Sequence, residues 1–249
     1  MDLFTTTWSA LREAVAALPD RAFTAPSGCR GWLVQDLVCH LVIDAQDVLI
    51  TLATPAESAP TADALSYWTP TPIPAGGARD PRPPAPRGAD GTASDGAAPP
   101  DSTDPLDALT RRLAAAYEDP ALLRHHLEDV GAAAGRAALL AHPELPVATQ
   151  GMSLTVRDYL GAYVLEWTLH HLDLIARLEA ADAPPGPPAE GLADARDLLE
   201  RRLRLRLPAT WADADALRIA TGRRPATDAE RAELEELGPR AAMLPLSFG

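Results

Sequence analysis

Residues 159–174 read YLGAYVLEWTLHHLDL, and the rest of the chain is organised around them. Leu160, Tyr163, Val164, Trp167 and Leu174 recur at helical spacing, so the stretch reads as one long helix. Glu166 and His170 lie four residues apart, which stacks them on one helix face. A carboxylate and an imidazole so placed are able to bind the same metal ion. Two ligands do not close a site, so a third has to come from elsewhere. The best candidate is His40, in GWLVQDLVCHLVIDAQDVLITL (31–52), which also reads as a helix. Its histidine is embedded among Leu37, Val38 and Leu41. Spacing alone leaves a plainer alternative open. Helices carry Glu and His at this interval by chance, and a histidine on an apolar face is commonly a satisfied core residue.

Composition narrows the class. The chain has 249 residues, enough for one large domain or two small ones, and 47% of them are apolar, enough for a sizeable core. Ala and Leu dominate and aromatics make up only 5%, which favours helices over sheet. The net charge of −13 argues against nonspecific binding to nucleic acid or to an anionic membrane, because a phosphate surface repels it. All 22 basic residues are Arg, a bias of GC-rich genomes such as those of actinobacteria. Two cysteines, Cys29 and Cys39, do not make a disulfide framework, so a reducing cytosol is the default expectation. The first 20 residues do not read as a signal peptide, and no apolar run approaches the roughly 20 residues of a spanning helix. The expectation is a soluble, cytoplasmic protein whose oligomeric state the sequence leaves open.

Phe4, Trp8, Leu11, Val15 and Leu18 mark a first amphipathic helix over 4–18, ended by Pro19. The loop TAPSGCRG leads to a second helix over about 33–53. Asp36 and Asp44 each lie one turn from His40, and either is placed to hold the imidazole's second nitrogen. The plainer readings, an aspartate of the helix's first turn and a solvated aspartate, are favoured. Residues 54–105 are dense in Pro, Gly, Ala, Ser and Asp and read mostly as a long mobile insert. Tyr67 and Trp68 are the exception, packing on the bundle in preference to forming a lid. Helical periodicity returns at Leu106, Leu109, Leu113 and Tyr117, with Asp104 and Pro105 as N-cap and first-turn residues. A further helix covers about 120–141, with His125 and His126 on its surface. HPELPVATQGMS (142–153) reads as a loop, after which Ser153 or Thr155 opens the organising helix.

The run ADAPPGPPAE (181–190) reads as a linker. Beyond it come a helix with an arginine-rich end, a short strand ALRIATG (216–222), and a helix TDAERAELEEL with Thr227 as N-cap and an apolar stripe of Ala229, Leu234 and Leu237. AAMLPLSF (241–248) reads as a final strand. The expected organisation is a metal-binding helical unit over 1–180 and a small α+β domain over 190–249.

Three pieces then line up in order: SGCRGWLVQDLVCHL (27–41), LTVRDYLGAYVLEWTLHHLDL (154–174) and LRIATGR (217–223). Together they resemble the mycothiol-dependent maleylpyruvate isomerase family of the DinB-like metalloenzymes, over most of the chain apart from the insert. The resemblance implies a mainly α protein, with a DinB-like four-helix bundle before the small α+β domain. It implies one metal, usually zinc, held by His40, Glu166 and His170. His171 falls about 100° round the helix from His170 and is set aside as a ligand; Asp173 stands one turn on, as a partner of the site or a structural cap. An arginine near the active site carries over to Arg223, a candidate catalytic and cofactor-binding residue. Mycothiol is the implied co-substrate and an electrophilic small molecule the implied substrate. Two neutral imidazoles and one carboxylate leave an open position on a four-coordinate zinc, able to take a thiolate or water. Nickel, iron and manganese also suit a mixed N/O site. Neither Cys29 nor Cys39 is needed as nucleophile. The reaction is then thiol addition giving isomerisation or S-transfer. The alternatives are a metal-dependent hydrolase and a non-catalytic metal or small-ligand binding module.

Overall fold

The structure, a computed structural model, describes residues 2–68, 71–72 and 105–247. Helix α1 (Asp2–Ala17) buries Phe4, Trp8, Leu11 and Val15, one apolar face at the expected spacing. Helix α2 (Val34–Leu52) starts where the Asp36 carboxylate accepts the Leu33 N–H at 2.8 Å, the first-turn role expected of it. After α2 come strand β1 (Thr71–Pro72), helix α3 (Pro105–Ala116) and helix α4 (Pro120–Leu140). Helix α4 is capped by the Asp119 side chain, which accepts the Ala121 N–H with Pro120 as first helical residue.

Residues 142–153, expected as a loop, instead contribute most of a β-hairpin. Strands β2 (Pro146–Thr149) and β3 (Met152–Thr155) pair antiparallel, with Thr149 opposite Met152. The two residues between them, Gln150 and Gly151, have φ of 48° and 76°, the left-handed pair a tight hairpin turn requires. Thr155 then caps α5 (Val156–Ile175) by accepting the Asp158 N–H. Residues 54–68 carry no helix, as the composition implies, yet they are held to the hairpin. Ala56 N–H donates to Pro146 O, Ala148 N–H to Thr54 O and Thr61 N–H to Ser153 O. Tyr67 is buried and Trp68 Nε1–H donates to Ala162 O, so both pack on the bundle. The expectations for Asp104 and for a mobile stretch over 73–104 lie outside the described residues.

Helices α1, α2, α4 and α5 close a ring of neighbours: α1 packs on α4 and α5, and α2 packs on α4 and α5 as well. Helix α3 packs on α2. Inside the ring, Trp8 stacks on Trp167 with centroids 3.8 Å apart, and Phe4 meets Trp167 at 4.8 Å. Each fully buried large apolar side chain contributes about 1.5–3 kcal/mol, so the bundle is held by many groups remote from any polar site. Helix α5 is buried nearly all round because its two sides serve different cores. Tyr159, Leu160, Tyr163, Val164 and Trp167 join the bundle core, and Leu165, Leu169 and Leu172 join a second core formed with the C-terminal residues.

That second part comprises α6 (Ala189–Leu203), α7 (Asp213–Ala220), α8 (Asp228–Glu236) and strand β4 (Leu246–Ser247), which pairs antiparallel with β1. The fold is mainly α, a helical bundle followed by a small, mostly helical end. Two expectations here need correction. ALRIATG is not a strand: it falls in α7 and the turn after it. Leu217 and Ile219 alternate like strand residues, but Ala216, Leu217 and Ala220 are the buried helical face and Asp213 and Asp215 suit the helix's first turn. AAMLPLSF is a 3-10 turn (Ala241–Met243) followed by the two-residue β4. Helix α8 is capped reciprocally by Thr227 and Glu230, as its sequence implies. Of its expected apolar stripe, Leu234 packs on the second core while Ala229 is exposed. No helix of the described residues is long and apolar enough to cross a membrane.

Candidate metal centre

Helix α2 contributes His40 and Asp44, one turn apart, and α5 contributes Glu166 and His170, also one turn apart. Their ligand atoms all lie within 4.8 Å of one another. His170 Nε2 is 2.8 Å from Glu166 Oε1, His40 Nε2 is 3.9 Å from the same oxygen, and His40 Nε2 is 3.6 Å from Asp44 Oδ2. The two rings meet edge to face, with centroids 4.9 Å apart, and Trp32 covers His40 on another side at 5.2 Å. The three sequence candidates, His40, Glu166 and His170, are thus brought together. Asp44 joins them, and the solvated role expected for it is corrected: its side chain is 7% exposed. The reason is geometric. It repeats on α2 the one-turn spacing of Glu166 and His170, which puts it on the same inward face as His40.

A second group of side chains adjoins the first through His170. Its Nδ1 is 3.4 Å from Asp173 Oδ2 and 3.8 Å from Cys29 Sγ, and the Cys29 thiol donates to Asp173 Oδ2 at 3.3 Å. Arg223 grips Asp173 with two bonds, Nε to Oδ1 at 3.0 Å and Nη2 to Oδ2 at 2.8 Å. It reaches there because Gly222, with φ of 69°, turns the chain back after α7. Its third nitrogen, Nη1, is buried without a hydrogen-bond partner among the described residues. The loop carrying Cys29 is tied down by Gly28 N–H donating to Asp173 O at 2.7 Å. Only glycine fits there, since a Cβ on residue 28 would come within 2.7 Å of the Asp173 Cα. Cys29, Asp173 and His170 also have metal-ligating atoms, but the Asp173 charge is already matched by Arg223. This group holds His170 by its outer nitrogen, the kind of contact a metal-binding histidine would need.

The electrostatics separate the roles. Burial by itself would raise the Glu166 carboxyl, but His170 and His40 outweigh it and hold the pKa at about 2. Burial would lower His170, but Glu166, then Asp173 and Cys29, push it well above the ordinary imidazole value. Burial raises Asp44, and Glu166 facing it adds to the rise while His40 opposes it. Cys29 is raised by burial and by Asp173, against His170 and Arg223, which keeps it a thiol. His171 points elsewhere, its Nε2 3.0 Å from Pro185 O, and burial lowers it to about 4. It holds the linker after α5. Cys39 is a buried core thiol raised to about 11, by burial and then by Asp36.

The donor set fits a divalent metal. Two imidazoles and two carboxylates converge in a buried spot, no arginine bonds Glu166 or Asp44 among the described residues, and Asp44 Oδ2 is buried with no hydrogen-bond partner. A divalent cation would match both carboxylates while leaving both imidazoles neutral. Sequence reasoning underweighted Asp44, although its one-turn step from His40 was the available signal. It had no signal for Cys29 beside His170, because that contact joins residues far apart in the chain.

A helical bundle with paired imidazoles and carboxylates at its centre defines a candidate metalloprotein. The family model described as the mycothiol maleylpyruvate isomerase N-terminal domain matches residues 4–175, and the chain belongs to that family. The match runs through all four bundle helices and the four converging side chains and stops at the end of α5, so Arg223 lies beyond it. No curated protein matches the chain, and no solved structure does.

Proposed function

We propose that the chain is a zinc-dependent enzyme that uses mycothiol to add sulfur to an electrophilic small molecule. The observation that carries this reading is the convergence of His40, Glu166 and His170 inside the residues matched by the family. A zinc ion there supplies positive charge that lowers the pKa of an approaching thiol, so that the sulfur is nucleophilic at neutral pH. The chain's own residues do the rest. His40 and His170 would hold the ion as neutral imidazoles, and Glu166 would offset part of its charge. Asp173 and Cys29 occupy the outer nitrogen of His170 and fix which nitrogen faces the ion. Arg223 has two donors committed to Asp173 and one, Nη1, available to pair with a carboxylate of mycothiol or of the substrate. The thiol adds to an electrophilic carbon. Rotation about the former double bond followed by loss of the thiol gives isomerisation, and retention of the new C–S bond gives S-transfer. The unpaired state of Cys29 and Cys39 suits a reducing cytoplasm.

The test begins with elemental analysis of the purified protein beside the His40→Ala/His170→Ala double variant. Close to one zinc per native chain and none in the variant, with helicity unchanged, is the expected result. Thiol-addition assays with mycothiol and maleylpyruvate follow. Bound zinc without thiol-dependent turnover of any electrophile would replace this reading with a metal-binding module, and zinc-dependent turnover without thiol would replace it with a hydrolase.

A further inference from the structure

We propose that Asp44 is a fourth protein ligand to the ion held by His40, Glu166 and His170, an inference that rests on the metal-centre reading above. The argument turns on which nitrogen of His40 Asp44 faces. A carboxylate that merely orients a metal-binding histidine takes the ring nitrogen turned away from the ion. Asp173 does this for His170, at Nδ1, while Nε2 faces Glu166. Asp44 does the opposite. Its Oδ2 lies against His40 Nε2, the same nitrogen that faces Glu166, while His40 Nδ1 is buried with no hydrogen-bond partner among the described residues. Asp44 is therefore on the inner side of the ring, among the ligand atoms. The distances of 2.8, 3.6 and 3.9 Å between donor atoms are each below the roughly 4.2 Å that two donors on opposite sides of one ion would span.

Charge points the same way. Arg223 is gripped by Asp173, and no arginine among the described residues bonds Asp44. A buried, unpaired carboxylate costs several kcal/mol, and two of them facing each other cost more. Glu166 and Asp44 as carboxylates with two neutral imidazoles sum to −2, which one divalent ion cancels. Without Asp44 the same centre would carry +1. Two carboxylates and two imidazoles form an oxygen-richer set than three ligands; such a set suits manganese, iron or nickel, or a zinc expanded to five-coordination, so that a position stays open for the thiol.

The experiment uses the full chain stripped of metal and titrated with Co2+, read by visible absorption and by equilibrium affinity, for the wild type, Asp44→Ala and the isosteric Asp44→Asn. Circular dichroism of each variant establishes that the bundle is intact. The expected result is one Co2+ per wild-type chain, loss of affinity by about 100-fold or more in Asp44→Ala, beyond the range of outer partners, and displaced ligand-field bands in both variants. Wild-type affinity and bands in Asp44→Ala overturn the inference and leave the three-ligand centre standing. A fall in affinity with unchanged bands also overturns it, since Asp44 would then act from outside the coordination sphere. A wild-type chain that takes up no Co2+ overturns both readings together.

Discussion

Two clusters of charge among the described residues, one in the C-terminal part and one at the bundle centre, are built on opposite terms. In the C-terminal part, Glu200 accepts from Arg196 Nε at 2.8 Å, from Arg206 Nη1 at 2.7 Å and from the Leu207 N–H at 3.1 Å. Arg196 spends its remaining donors on Asp213 and on the carbonyls of Leu207, Pro208 and Trp211. Every charge there has a partner within the chain. In the bundle, Asp44 and Glu166 face imidazoles and each other, and Asp44 Oδ2 is unmatched among the described residues. The contrast teaches how to separate a structural cluster from a site. A closed network fastens the chain to itself, whereas one that leaves a buried carboxylate oxygen unmatched has room for a further partner.

The largest effect expected from this difference is on stability. Arg196→Ala leaves Glu200, whose side chain is 5% exposed, with half its charge unmatched, and removes the tie to the 207–213 loop. Breaking one side of a buried pair costs about 3–5 kcal/mol. Chemical denaturation should therefore show a large loss for Arg196→Ala and no loss, or a gain, for Asp44→Asn in the metal-free protein, since that change removes one of two facing carboxylates. Comparable losses in the two variants would erase the distinction between the clusters.

A smaller effect is expected where the loop of Gly28 meets Asp173. Gly28→Ala would drive a methyl against the Asp173 backbone, at a cost of about 1–3 kcal/mol for overpacking. Because Asp173 holds His170, metal affinity should fall by about 10–100-fold even though Gly28 touches no ion. A variant with reduced thermal stability and unchanged metal affinity would show that the Asp173 group fastens the loop without orienting His170.

The parts of this architecture that were legible in the sequence are those fixed by local periodicity. The stripe of Leu160, Tyr163 and Trp167 gave α5, and the Glu166–His170 step gave half the centre. His40, embedded among Leu37, Val38 and Leu41, stood out as the best third candidate, and the family resemblance pointed to it as well. What local pattern could not carry was misjudged in consistent ways. Gln150–Gly151 makes a hairpin turn without the Asn-Gly signature, so β2 and β3 read as loop. Leu217 and Ile219 alternate like strand residues, and only the packing of Ala216 and Ala220 on α6 and α5 makes them helical. Asp44 read as solvated because carboxylates usually are. Its burial is decided by Glu166 and His170, more than a hundred residues away in the chain. The junction of Cys29, Asp173 and Arg223 joins three distant segments; the motifs and the resemblance set Asp173 and Arg223 near the site, but no local pattern announced their contacts with each other and with Cys29.

The smallest effect concerns acid, and it sharpens the comparison because the two clusters respond by different routes. Burial would raise Glu200, but Arg196, Arg206 and the Leu207 N–H hold it below its ordinary value of 4.5. A carboxyl with a depressed folded pKa contributes stability above the unfolded pKa and loses it as pH falls through the folded value. Wild type should therefore exceed Glu200→Gln in stability at neutral pH, and the gap should shrink below about pH 4.5. At the bundle centre, protons would compete with the proposed ion for its ligands. Added zinc should then offset acid weakening that arises at the centre, while the narrowing gap between wild type and Glu200→Gln should be the same with and without it. Denaturation curves across this pH range, with and without zinc, measure both. A gap independent of pH would mean that Glu200 is not held ionised by its arginines, and a gap that zinc abolishes would mean that the two clusters are coupled through α5.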